Sequence, residues 1–119
     1  MNFEFHKTDK LNDISVDNNV DIYQFKLDGT IIGYSLIKKN NLDNNSIYIK
    51  IYDKYQSNGY GNKLFKESLN ILKNNNIKNV IFNINLENYK MINIISKYNP
   101  LNISTVDGVK EFLINLTYI

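Results

Sequence analysis

A mixed α/β (α+β) fold, with a mostly antiparallel central sheet and helices on its faces, is what this sequence predicts. Apolar residues alternate with period two through Val20–Leu27, with one slip, and cleanly through Ile47–Tyr52, and Thr30–Lys38 supplies the strand between them. The period lengthens to that of a helix over Asn62–Lys73 and again over Glu87–Tyr98. Between the last of these strands and the first helical run lies Gln56-Ser57-Asn58-Gly59-Tyr60-Gly61, a glycine-bearing turn.

Each element follows from local chemistry. Residues 2–6 alternate and suit a short edge strand, and Leu11–Asn19 is Asp/Asn-rich and reads as loop with at most one helical turn. Val20–Leu27 and Thr30–Lys38 flank Asp28-Gly29, a strong short hairpin signal because both residues accept positive φ. Asn40–Asn45 is a second turn before the strand Ile47–Tyr52. Leu64, Phe65, Leu69 and Leu72, with Ser68 as a small gap, form the stripe of the first helix, and Asn74-Asn75-Asn76 ends it. Lys78–Asn85 is a strand with Val80, Phe82 and Ile84 on one face. Met91, Ile94, Ile95 and Tyr98 mark the second helix, which Asn99-Pro100 stops. Val109–Ile119 is a closing strand, with a shorter one near Leu101–Ser104.

At 119 residues the chain is expected to form one domain spanning 1–119. With no cysteine and a single histidine, thiolate catalysis, disulfides and a Cys/His metal centre are excluded, and no metal is expected. There is no apolar run of membrane-spanning length and the opening residues lack the apolar segment of a secretory signal, so the expected location is the cytoplasm. A formal charge of +2 is too mild to argue for nucleic acid. The chain has no arginine, so any phosphate would be met by lysine and by main-chain N–H.

A strand that stops in a glycine turn and restarts as a helix leaves several N–H groups unpaired at the positive end of the helix dipole. That arrangement suits an anion, above all phosphate. Gly59 and Gly61 can take positive φ and have no Cβ to hold a ligand off the main chain.

Gln56-x-x-Gly59-x-Gly61, between a strand ending in Ile51 and a helix opening Lys63-Leu64, resembles the acetyl-coenzyme-A motif of the GNAT N-acetyltransferases. The element order is similar from about residue 20 onward, while the part before Val20 is shorter than is usual in that family. The resemblance implies a cofactor, acetyl-CoA, and a set of residues to hold it. Main-chain N–H groups of Gln56, Ser57, Asn58, Gly59, Tyr60 and Gly61 would grip the pyrophosphate, with polar contacts from Asn62 and Lys63. The strand at Ile49 and Ile51 would part from its neighbour and pair with the pantetheine arm. Asn88 anchors the family's second motif, which places Ile95 where a tyrosine acid often stands. Anchoring on Tyr98 would put Pro100 inside the helix, at a cost of about 3 kcal/mol. Tyr98, one turn past the expected position, is the candidate catalytic acid.

Asp53, Glu87 and Glu111 are candidate bases for deprotonating the amine, each with a solvated surface charge as its plain alternative. Tyr48, Lys50 and Tyr52 share one strand face, either a half-exposed wall or one that faces substrate. The implied reaction moves acetyl to an amine of a small molecule or protein by direct attack. Two rivals stand beside it: a coenzyme-A-binding domain without catalysis, and a small nucleic-acid-binding sheet. Lys78–Asn85 lacks the Gly-aromatic core of an RNA-recognition motif, which counts against the latter, and no nucleic-acid or membrane partner is expected. Oligomeric state is left open, a homodimer included.

Overall fold

The computed structural model describes residues 2–9, 18–39 and 45–118. Seven strands form one sheet in the order β1-β2-β3-β4-β5-β7-β6. The strands are β1 (Phe3–Thr8), β2 (Val20–Leu27), β3 (Thr30–Lys39), β4 (Asn45–Ile51), β5 (Asn79–Asn85), β6 (Leu101–Val106) and β7 (Val109–Asn115). Helix α1 (Tyr60–Asn74) joins β4 to β5, and α2 (Tyr89–Ser96) follows β5. All pairings are antiparallel except β4 with β5, the two strands joined through α1.

The hairpin between β2 and β3 turns at Asp28 and Gly29, with φ of 50° and 84°. Asp107 and Gly108, with φ of 52° and 77°, make the same turn between β6 and β7. Sequence reading found the first Asp-Gly and passed over the second. The loop expected over Leu11–Asn19 lies outside the described residues apart from a turn at Asn18 and Asn19, and so does Asn40–Asn44.

The stripe on α1 is buried as expected: Leu64, Phe65, Ser68, Leu69 and Leu72 all face the sheet. One cluster joins Phe65, Leu69 and Leu72 to Ile37, Ile47, Val80, Phe82, Phe112 and Ile114 on the strands and to Ile95 on α2, so both α-helices cover the same sheet face, while Leu64 packs with Phe25 and Ile32 in a second cluster. Phe65 packs in tilted contacts against Phe82 at 5.2 Å and Tyr98 at 5.3 Å, which ties α1 to β5 and to the turn after α2. Asn76, with φ of 63°, ends α1, and the Ile77 N–H donates to Leu72 O. Asn99, with φ of 51°, turns the chain away from α2 just before Pro100.

Several boundaries differ from expectation: α1 opens at Tyr60 rather than Asn62, β4 runs Asn45–Ile51 rather than Ile47–Tyr52, and β6 runs on to Val106. The last strand stops at Asn115, where Leu116 buries its side chain and its N–H donates to Lys78 O, opening a 3-10 turn over Leu116–Tyr118. Helix α2 is shorter at both ends than Glu87–Tyr98, because Asn88 serves as its cap: Asn88 Oδ1 accepts from Met91 N–H. Among the described residues, no helix is long and apolar enough to cross a membrane.

Candidate functional site

Among the described residues, the parallel pairing of β4 with β5 is confined to Asn45 opposite Val80. Beyond that point the strands part, and among the described residues the second half of β4 pairs as a strand with β3 alone. Main-chain groups of successive strand residues point to alternate sides. Tyr52 N–H donates to Ile32 O on β3, so the N–H groups of Ile49 and Ile51 point into the gap. The carbonyl of Ile51 on that side accepts from the Gln56 side chain at 2.9 Å.

Gln56 also donates to Asp53 Oδ1 at 3.1 Å, and Asn58 Nδ2 donates to the carbonyls of Tyr55 and Gln56. These contacts fold the loop back on the strand end. Ser57 (φ 66°) and Gly59 (φ 78°) then take left-handed backbone conformations, a sequence that turns N–H groups toward one concave side. Gly59 is the N-cap of α1 and offers no side-chain cap, and the first turn carries no acidic residue. The N–H groups of Ser57 through Asn62 have no hydrogen-bond partner among the described residues. The uncapped helix end is a cluster of donors with nothing in the chain to accept from them.

A cleft of about 540 Å³ opens against this helix end. Ile49 and Ile51 form its floor, Gln56, Ser57, Gly59, Tyr60, Gly61 and Asn62 one wall, and Asn88, Met91 and Ile94 the other. Lys50, Lys90 and Lys97 also line it, and no lining residue is acidic. Lys97 Nζ donates to Asn62 Oδ1 at 2.8 Å, so an ammonium stands over the first turn of α1.

Of the residues expected to hold a coenzyme, Ile49, Ile51, Gln56, Ser57, Gly59, Tyr60, Gly61, Asn62 and Asn88 meet in this cleft. Asn58 and Lys63 do not line it. Asn58 braces the loop from behind, and Lys63 Nζ sits over the Phe3 ring at 4.8 Å, turned toward β1. Gly61 also departs from expectation: it is helical, and its missing side chain makes room for α2, since a Cβ there would lie 3.3 Å from Ile94 Cδ1.

Tyr98 is outside the cleft. Its ring lies on Phe65 at the edge of the core, and burial pushes its phenol above the ordinary tyrosine value. Ile95 is fully buried. The face of α2 that carries Ile95 and Tyr98 is the core face, whereas Asn88, Met91 and Ile94 form the cleft face. None of Asp53, Glu87 and Glu111 lines the cleft; Glu111 lies on β7 opposite Asn83. No cluster of metal-binding side chains occurs among the described residues.

Sequence reasoning missed Lys90 and Lys97. The signal was available, because they recur at helical spacing with Asn93 on the polar side of α2. Reading that helix for its apolar stripe alone hid them.

Parted parallel strands, an uncapped helix end between them and a lysine-lined cleft together offer donors and positive charge of the kind that suits an extended anionic ligand. The chain belongs to the acetyltransferase (GNAT) family, whose sequence model matches residues 2–97. Among proteins of curated function, none matches this sequence. Its fold is similar to that of a GNAT family acetyltransferase from Elizabethkingia anophelis solved with acetyl-CoA bound, at 14% identity and a TM-score of 0.78, covering 96% of this chain and 98% of that one. A spermidine/spermine N-acetyltransferase from Vibrio cholerae is similar over 97% of this chain and 93% of its own, with 14% identity and a TM-score of 0.80. An N-acetyltransferase from Thermoplasma acidophilum in complex with coenzyme A matches at 15% identity and a TM-score of 0.72, over 82% of this chain and 61% of its own.

Proposed function

We propose that this chain is an N-acetyltransferase that moves acetyl from acetyl-CoA to an amine of a small molecule or protein by direct attack. The observation that carries the reading is the uncapped end of α1, whose N–H groups from Ser57 to Asn62 open on a cleft with three lysines and no carboxylate. A diphosphate there would accept from several of those N–H groups at once, with the helix dipole and Lys97 adding favourable charge. The pantetheine arm carries amides of its own. Laid along the open side of β4, it would act as a short extra strand against Ile49 and Ile51. Asn88 and Met91 would close over it from α2.

The chemistry asks for a neutral amine, a donor to the oxyanion and a leaving thiolate. The N–H groups of Ile49 and Ile51 point into the gap and are the donors within reach of a thioester lodged there. A second cleft of about 480 Å³, lined by Leu36, Ser46, Tyr48, Ile81 and Asn83 among others, meets β4 and β5 where they part. It supplies an entry for the acceptor away from the coenzyme. The absence of cysteine suits a cytoplasmic enzyme.

The test is thermal denaturation with and without acetyl-CoA, for the parent chain and for Gly59→Glu and Gly61→Glu, with circular dichroism to verify folding. A rise in midpoint that disappears in both folded variants is expected; a rise that survives them refutes the loop's role. The second reading, coenzyme binding without turnover, draws on Tyr98 lying in the core and Ile95 being buried. Saturable binding with no acetyl transfer across a panel of amines would favour it.

A further inference from the structure

We propose that Tyr48 is the catalytic acid, donating its phenolic proton to the coenzyme's sulfur as the thioester breaks; this rests on the acetyltransferase reading above. Among the described residues, Tyr48 alone lines both the coenzyme cleft and the second cleft. A group placed to touch both substrates must stand where those spaces meet, and that is where the reacting carbonyl has to lie.

Side-chain direction supports this. Strand alternation turns Ile47 and Ile49 toward the helices and Ser46, Tyr48 and Lys50 to the opposite face of β4. The Tyr48 ring is 54% exposed, free of the core, and adjoins the gap where β5 departs. Tyr34 on β3 stands beside it with ring centroids 6.3 Å apart, and Tyr52 flanks Tyr34 on the far side at 6.0 Å.

The pairing of the two phenols sets which proton moves. Burial, then the charges that Tyr48 and Tyr52 would carry when ionised, then a hydrogen bond with Tyr48 all push the Tyr34 phenol above its ordinary value. Tyr34 therefore keeps its proton and, with its ring beside that of Tyr48, is placed to donate to the Tyr48 oxygen. The Tyr48 proton is left to point elsewhere, and a phenolate formed on Tyr48 would retain the bond from Tyr34. Tyr98 and Ile95, on the core face of α2, offer no such donor to the cleft.

The step balances without a further reactant. The neutral amine's lone pair forms the C–N bond, and the C–S bond breaks with its electron pair left on sulfur. Tyr48 Oη–H passes its proton to that sulfur, giving the free thiol. The surplus proton on the new amide nitrogen returns through water to the Tyr48 oxygen, which ends as it began.

The experiment compares affinity for coenzyme A and for its desulfo analogue, by calorimetry, in the parent chain, Tyr48→Phe and Tyr98→Phe. The parent is expected to prefer the sulfur-bearing ligand by roughly threefold to tenfold, the yield of one ordinary hydrogen bond. Tyr48→Phe should lose that preference while binding the desulfo analogue as the parent does, and Tyr98→Phe should keep it. Turnover with any accepted amine should fall about a hundredfold in Tyr48→Phe. A preference that persists in Tyr48→Phe, or is missing from the parent, overturns the assignment and leaves the coenzyme site standing. Failure of the parent to bind either ligand overturns both.

Discussion

Lys97 and Asn62 are joined by a 2.8 Å hydrogen bond that ties the end of α2 to the first turn of α1. The bond holds a cation over an uncapped helix N-terminus, an arrangement electrostatics alone would not favour, since both ends are positive. An anion lodged between them removes the conflict. Lys97→Ala should therefore weaken acetyl-CoA binding by roughly threefold to tenfold, the worth of one charge-assisted contact. Lys63→Ala, whose ammonium lies over Phe3, should leave affinity unchanged. Equilibrium titration of both variants checks the pair, and equal losses would sink the assignment of Lys97 to the phosphates.

Gly33 sits on β3 opposite Ile51, beside a bulge in the β2–β3 pairing. A Cβ at Gly33 would run into the main-chain carbonyl of Lys50, which no rotamer change can relieve. Gly33→Ala should destabilise the fold by about 1–3 kcal/mol, the usual cost of overpacking, and displace the half of β4 that floors the cleft. Chemical denaturation gives the first quantity and acetyl-CoA affinity the second. A stable variant that binds normally would show that β4 tolerates movement there.

Ser68 Oγ lies 2.8 Å from both Ser35 Oγ and Leu64 O, and both serines are fully buried between α1 and β3. Ser68→Ala strands the Ser35 hydroxyl in an apolar layer, at a cost of about 1–3 kcal/mol. Ser35→Ala leaves Ser68 its bond to Leu64 and should cost less. The double variant should be more stable than the sum of the two losses implies, because no buried hydroxyl is then orphaned. Denaturant midpoints of the three variants decide it.

Most strands and both helices could be read from periodicity, because a half-buried strand and an amphipathic helix write their geometry into residue order. Val20–Leu27 was found to the residue, and the stripe of α1 was buried at every expected position. The glycine turn before α1 was legible for the same local reason: Gly59 takes the left-handed conformation a strand-to-helix turn needs. What failed was side-chain direction across elements. Lys63 follows the loop in sequence, yet Phe3 draws it to the far side of α1, and Lys97 arrives from 35 positions away to take the place over Asn62. Tyr98 was chosen by its distance along a motif, whereas helical phase put it with Ile95 on the core. The meeting of two clefts at Tyr48 depends on where β4 and β5 part, and no local pattern encodes that point.

Tyr98 makes a last prediction, on stability. Burial raises its phenol above the unfolded value of about 10, because ionising it would place charge against Phe65 and the core. The folded chain thus holds its proton to higher pH than the unfolded chain does. The contribution is whole below pH about 10 and is lost as pH rises through the raised folded value. Midpoint temperature should fall over that alkaline interval, and Tyr98→Phe should fall less steeply while matching the parent at neutral pH to within the loss of one hydroxyl. Tyr34, raised by burial and by its tyrosine neighbours, keeps part of the slope in place. Parallel pH–melting curves for parent and Tyr98→Phe would mean that the phenol reaches water when charged, and that its seat on Phe65 is loose.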